Sequence, residues 1–155
     1  MYKILVLEDE GPLVKNYIEQ LERHRFDVFH SLDAKQSVKL VLDGRMDGVV
    51  VDLQLPVPEG LSAHEVENGD KTGLWFLDQI RHRMVGHPPM AVFVLTNNLA
   101  KHKARLEDFK VAQPILPRFL LEYATKAECG ARALPARLKA QIATFRGLDG
   151  GLGEH

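Results

Sequence analysis

Short apolar runs alternating with amphipathic helical patterns predict an α/β fold, a doubly wound parallel sheet with helices on both faces. Two observations carry this. The strand candidates 4–7, 48–51 and 90–95 are apolar along their length, as expected of strands covered on both sides. Helical patterns lie between them, and strand–helix–strand alternation implies parallel strands joined by right-handed crossovers. The 155 residues suggest one domain with a sizeable core, and no internal repeat or second domain is visible.

Composition narrows the function classes. Hydrophobic residues make up 45% and charged residues 26%, ordinary values for a globular protein. A formal net charge of -1 gives no electrostatic case for nucleic acid or an anionic membrane. Cys129 is the single cysteine, so no intrachain disulfide can form, which is consistent with a reducing, cytoplasmic setting. The apolar run after Met1 is too short for a signal peptide and meets Glu8-Asp9-Glu10 at once; no run reaches membrane-spanning length.

The elements follow in order. The first strand, 4–7, ends in Glu8-Asp9-Glu10, and Gly11-Pro12 opens a helix with Leu13, Val14, Tyr17, Ile18 and Leu21 on one side. Residues 27–29 read as a second strand. Asp33 can cap a helix that runs to Leu42 and stops at Asp43-Gly44. The third strand, 48–51, ends in Asp52. Residues 53–70 are irregular and acidic, broken by Pro56, Pro58, Gly60 and Gly69. A helix fits 72–84, with Trp75 as a packing residue, and Pro88-Pro89 closes the connection. The fourth strand, 90–95, ends at Thr96. Residues 101–110 read as a charged, exposed helix. Residues 135–145 read as the last helix, with Leu138, Ile142 and Phe145 inward, before a Gly-rich tail.

Three strands thus end in reactive groups: Glu8-Asp9, Asp52 and Thr96. In a parallel sheet the carboxyl ends share one edge, where such sheets place ligands. Taken alone, an Asp after a strand is more often a turn or cap residue. Three carboxylates on one edge, however, raise each other's pKa unless a cation neutralises them. A hard divalent ion such as Mg²⁺, with oxygen ligands, resolves the conflict. A carboxylate beside such an ion can attack phosphorus, and a hydroxyl and an ammonium would then stabilise the transferring group.

These residues resemble the receiver domain of two-component response regulators, in particular the single-domain, chemotaxis-regulator-like receivers. The motifs are Ile4-Leu-Val-Leu-Glu8-Asp9-Glu10, Val50-Val51-Asp52-Leu-Gln-Leu-Pro56, Val94-Leu95-Thr96 and Tyr123-Ala-Thr-Lys126, in the family's order. The resemblance implies a flavodoxin-like, five-stranded parallel sheet of order 2-1-3-4-5. It implies a receiver domain over 1–146 and a flexible tail over 147–155. It implies that Asp52 accepts phosphate from a histidine kinase or phosphotransfer protein in a phosphorelay. Mg²⁺ would be held by Glu8, Asp9, Asp52 and the backbone carbonyl of Gln54. Thr96 and Lys126 would contact the phosphoryl group, and Tyr123 would be the aromatic switch. Such a protein catalyses its own Mg²⁺-dependent aspartyl phosphorylation and dephosphorylation, and signals by contact with a downstream protein or as a homodimer.

Some positions depart from the pattern. Arg118 stands at the usual family distance after Thr96, whereas Lys126 needs a longer connection; the local motif favours Lys126. The rival reading makes 119–128 a helix, since it is rich in Leu, Ala, Glu and Lys. Ala127 replaces the family's usual proline and favours a trans bond. The loop near 57–71 is longer than most receivers carry, and is read as a lid, a docking loop or a tolerated insertion. Asn68-Gly69-Asp70-Lys71-Thr72 is not a phosphate loop, because no glycine precedes the lysine. The seven histidines, among them His24, His30, His82 and His102, show no metal-ligand spacing and most read as surface residues; Cys129 reads as a structural or incidental thiol.

Two rivals remain at this point. One is a phosphorylation-independent pseudo-receiver used as an interaction module. The other is an aspartyl-phosphate phosphohydrolase, which needs a second acid where Gln54 stands. DNA binding is not expected, since no basic helix-turn-helix is present.

Overall fold

The computed structural model describes residues 1–9, 11–83, 90–111 and 119–148. Five parallel strands, β1 (Lys3–Leu7), β2 (Asp27–Ser31), β3 (Gly48–Val51), β4 (Met90–Leu95) and β5 (Phe119–Ala124), form one sheet in the order β2-β1-β3-β4-β5. Five helices alternate with them: α1 (Gly11–Arg23), α2 (Ala34–Gly44), α3 (Thr72–Arg83), α4 (Leu99–Val111) and α5 (Leu134–Leu148).

Side-chain alternation along the strands builds two cores. Leu5 and Leu7, Val49 and Val51, and Val92 and Val94 pack toward α2, α3 and α4. Ile4 and Val6, Val50, and Ala91 and Phe93 face the opposite way, toward Tyr17 and Leu21 of α1 and Leu138 and Ile142 of α5. Because β1, β3 and β4 are covered on both faces, polar residues are excluded until each strand ends, where Glu8, Asp52 and Thr96 emerge.

Asp33 caps α2, its carboxylate accepting from the N–H groups of Lys35 and Gln36. The left-handed residue closing that helix is Arg45 rather than Gly44, which is the last helical residue. α4 is not an exposed helix throughout: His102, Leu106 and Phe109 are buried, because its inner side covers β5 and the core beneath α3. β5 rules out the helical reading of 119–128. Phe119 to Ala124 pair in parallel with Met90 to Leu95, so sheet pairing overrides a helix-favouring composition. α5 continues past Phe145 to Leu148. The expectations on Glu10, Met84, Pro88-Pro89, Arg118 and residues 149–155, and on the side chain of Phe145, lie outside the described residues.

The long connection after β3 is held by buried anchors, while residues 62–65 between them are exposed. Leu53, Leu55 and Val66 are buried, and a single 3₁₀ turn, Glu67–Gly69, leads toward α3. Gly69 has φ +100°, and a Cβ there would lie 2.4 Å from the Leu55 carbonyl oxygen. Gly73, in the first turn of α3, approaches the chain leaving β3 even more decisively. A Cβ there would meet the Asp52 carbonyl oxygen at 2.5 Å and Leu53 Cα at 2.6 Å, both backbone. The Gly73 N–H donates to the Leu53 carbonyl at 3.0 Å. Among the described residues no helix is long and apolar enough to cross a membrane.

Gly73→Ala forces α3 away from the end of β3. Overpacking of this kind costs about 1–3 kcal/mol, to be read as a lower urea midpoint with an unchanged slope; a midpoint equal to the parent's would show that α3 can shift freely.

Candidate functional site

The sheet's carboxyl edge brings together residues far apart in sequence. β1 and β3 are neighbours in register, Leu7 opposite Val51, so Glu8 and Asp52 leave the sheet side by side. The Asp52 N–H donates to the Leu7 carbonyl at 3.0 Å, which extends the pairing by one residue. One carboxylate oxygen from each of Glu8, Asp9 and Asp52 lies within 4.8 Å of the others. Glu8 and Asp52 are each only 4% exposed, while Asp9 faces solvent.

Lys126 reaches this trio from the turn after β5. Its ammonium donates to Asp52 Oδ2 at 2.8 Å and pairs with Glu8 Oε2 at 2.9 Å, and its side chain is 6% exposed. Burial alone would push the lysine pKa down. Hydrogen bonds to Asp52 and Glu8 outweigh this and hold it above the ordinary lysine value. Both carboxylates therefore face a cation that stays charged throughout the neutral range. Among the described residues there is no cis peptide, so the Lys126–Ala127 bond is trans, as an alanine favours.

The remaining polar contacts hold the rim in shape. Asp52 Oδ1 accepts from the Gln54 N–H at 3.2 Å, an Asx turn that fixes the chain just beyond the strand. Asp9 N–H donates to Glu8 Oε1 at 3.0 Å. His30, at the end of β2, donates from Nε2 to the Glu8 carbonyl at 2.8 Å. Thr96 is fully buried at the end of β4, and its hydroxyl oxygen accepts from the Asn98 N–H at 3.4 Å. Tyr123 is half-buried on β5, and its hydroxyl donates to Glu107 of α4, a bond that raises the phenol's pKa. Cys129 is buried, and burial pushes its thiol pKa up. That environment disfavours a reactive thiolate.

Asp9, Asp52, Gln54, Leu55, Pro56, Asn68, Gly69 and Asp70 line an open cleft of about 480 Å³. The donor set at its head is all oxygen, with three carboxylates close together, which fits a hard divalent cation such as Mg²⁺ and suits no soft metal.

Glu8, Asp9, Asp52 and Lys126 thus meet at one point, with Thr96 at the end of the adjacent strand and Tyr123 on β5. Two contributions were missed in the sequence. Asp70 borders the cleft, and a hydrogen bond from Lys101 lowers its carboxyl pKa to about 2. His102, expected on the surface, is 3% exposed and lies 3.5 Å from Asp70 Oδ2. The acidic character of 59–70 was the only available signal for Asp70, and it did not single this residue out among four.

No protein-family model and no curated protein matches this sequence. Solved structures do. The receiver domain of a CheY-like response regulator from Methanospirillum hungatei aligns with a TM-score of 0.68 at 15% identity, over 96% of this chain and 98% of that one. A response-regulator receiver domain from Clostridium thermocellum aligns with a TM-score of 0.66 at 20% identity, over 96% and 99%. A Francisella response-regulator receiver domain aligns with a TM-score of 0.64 at 19% identity, over 93% and 98%. The chain has the flavodoxin-like fold of response-regulator receiver domains, with the strand order that the sequence resemblance implied.

Proposed function

We propose that this chain is a phosphoacceptor receiver, phosphorylated on Asp52 in the presence of Mg²⁺ and acting in the cytoplasm by protein–protein contact. The observation that carries this reading is the joint one at Asp52: an ammonium at 2.8 Å and two further carboxylates within 4.8 Å. A buried carboxylate with that surrounding suits attack on phosphorus better than a turn role.

In this reading Asp52 attacks the phosphorus of a phosphohistidine or a small acyl phosphate. A new O–P bond forms, the donor's bond to phosphorus breaks, and the electron pair leaves with the donor. Glu8, Asp9, Asp52 and the carbonyl of Gln54 would hold the metal. When bound, Mg²⁺ supplies positive charge to the phosphoryl oxygens. Lys126 moves its hydrogen bond from the carboxylate to a phosphoryl oxygen, and the Thr96 hydroxyl donates to another. The phosphoryl group brings nearly two negative charges to a rim already built from acids, so these donors are drawn inward. Tyr123, on the strand between Lys126 and α4, would pass that change on through its bond to Glu107. The kinase or phosphotransfer donor and the downstream target would be proteins.

Incubation with acetyl phosphate and Mg²⁺ is expected to add one phosphoryl group to the intact mass, and Asp52→Asn is expected to abolish the gain. An unmodified parent protein, or an Asn variant that is still modified, would refute the assignment. Lys126→Met leaves Glu8 and Asp52 buried without their cation. Breaking such a pair costs about 3 kcal/mol at neutral pH, measured by urea unfolding, and added Mg²⁺ should narrow the gap. The sign with pH follows from the raised lysine pKa: the Lys126 contribution is complete below the free-lysine value and fades only as pH rises through the folded value. The gap between parent and variant is therefore expected to hold from neutral pH upward and to close in alkali; toward acid it also narrows, because the uncompensated carboxylates of the variant take up protons. A gap that has already closed at about pH 9, below the ordinary lysine pKa of about 10.4, would contradict the pairing.

A further inference from the structure

We infer that Asp70 is a positioning residue that fastens the end of the long β3–α3 connection to its start beside Asp52 and to the loop after β4, so that this end responds to the state of Asp52. The inference rests on the reading of Asp52 as the phosphoacceptor. Asp70 Oδ1 accepts from the Gln54 side-chain amide at 3.1 Å and from the Asn98 side-chain amide at 3.4 Å. Its Oδ2 is paired with Lys101 of α4. Gln54 stands two residues after Asp52, and its N–H bonds the Asp52 carboxylate; Asn98 stands two residues after Thr96, and its N–H bonds the Thr96 hydroxyl oxygen. One carboxylate thus grips, by their side chains, the two residues that hold Asp52 and Thr96 by their main chains.

Asp70 is itself firmly placed. The Asp70 N–H donates to the Glu67 carbonyl, and the Leu55 N–H donates to the Gly69 carbonyl at 3.1 Å, where Gly69 leaves no room for a Cβ. If Thr96 is drawn toward a phosphoryl group, Asn98 either drags Asp70 with it or lets go. Both results change the turn 62–71 and its contacts with α4, where Lys101 also lies 3.5 Å from Glu67. The same turn, α3 and α4 flank a groove of about 430 Å³ lined in part by Lys71, Trp75, Lys101 and Arg105. Trp75 is the only tryptophan, so the tryptophan fluorescence comes from the edge of this groove, where the ring packs on the core. Linkage is reciprocal: a turn released from Asp70 changes how tightly the site holds a phosphoryl mimic.

The test titrates Mg²⁺ with beryllium trifluoride, an anion that mimics an aspartyl phosphoryl group, into the full chain. Trp75 fluorescence and amide exchange over 62–71 and 96–101 are recorded. In the parent protein both segments and Trp75 are expected to respond. In Asp70→Ala, residues 96–101 still respond, the 62–71 and Trp75 responses vanish, and the half-saturating concentration of the mimic shifts by about fivefold. Asn98→Ala keeps the Lys101 ion pair and is expected to uncouple 62–71 in the same way, which covers the case in which Asp70→Ala fails to fold. A loss of stability alone does not produce that split between segments. A parent that responds at 96–101 but not at 62–71, or variants that respond like the parent, would overturn the inference while leaving the phosphoacceptor reading intact. A parent that responds nowhere would overturn that reading and this inference together.

Discussion

A buried ammonium between two buried carboxylates sets the terms for the rest of the molecule. Glu8 and Asp52 leave neighbouring strands at the same level, and Lys126 lies within 3 Å of both. Two acids this close and this dry are tolerable only with a cation between them. That cation arrives from the far end of the chain, after β5. The position of β5 beside β4, and of β4 beside β3, is therefore tied to the electrostatics of the site as well as to apolar packing. With three carboxylates already at the rim, a divalent cation and the lysine act on the same charges, and a phosphoryl group arriving there would redistribute both.

The fold delivers this arrangement because its central strands are apolar where they are covered, β3 and β4 throughout and β1 from Ile4 to Leu7. Each of β1, β3 and β4 is sealed by helices on both faces, so chemistry is confined to the strand ends. Parallel pairing of all five strands then places their carboxyl ends on one edge. The close passage of Gly73 over the backbone of Asp52 and Leu53 gives the site a fixed floor: α3 begins where β3 stops, with no side chain between them.

The long connection after β3 is the feature that departs most from an unadorned sheet-and-helix layout. Its apolar residues Leu55 and Val66 are buried, and its last residues close back on Leu55. Asp70 then joins its end to α4 through Lys101, to its own start through Gln54 and to the loop after β4 through Asn98. A segment of this length held by buried apolar anchors and an ion-pair network has few independent states available. A change at Asp52 therefore has a structured segment across the open cleft from it.

Much of this was legible in the residues. The apolar runs at 4–7, 48–51 and 90–95 marked the central strands, because burial on both faces leaves no other composition. Acids directly after two of those runs pointed to a shared rim, since parallel strands end together. What the chain order could not settle was long-range. The stretch 119–128 carries a helix-favouring composition, and only pairing with β4 decides for a strand that delivers Lys126 to Asp52. The charged pattern of 99–111 concealed the buried side of α4, whose Leu106 and Phe109 join the core shared with α3, beside β5 and beneath the Arg81 guanidinium. Asp70 was one acid among several until the turn at Gly69 aimed it between Gln54 and Asn98. Local periodicity and strand-end chemistry are written in neighbouring residues, and so the sequence alone determined the α/β class and the acidic rim. Which distant cation meets that rim, and which loop acid braces it, depends on contacts between residues 16 to 118 positions apart, and the tertiary structure alone decided them.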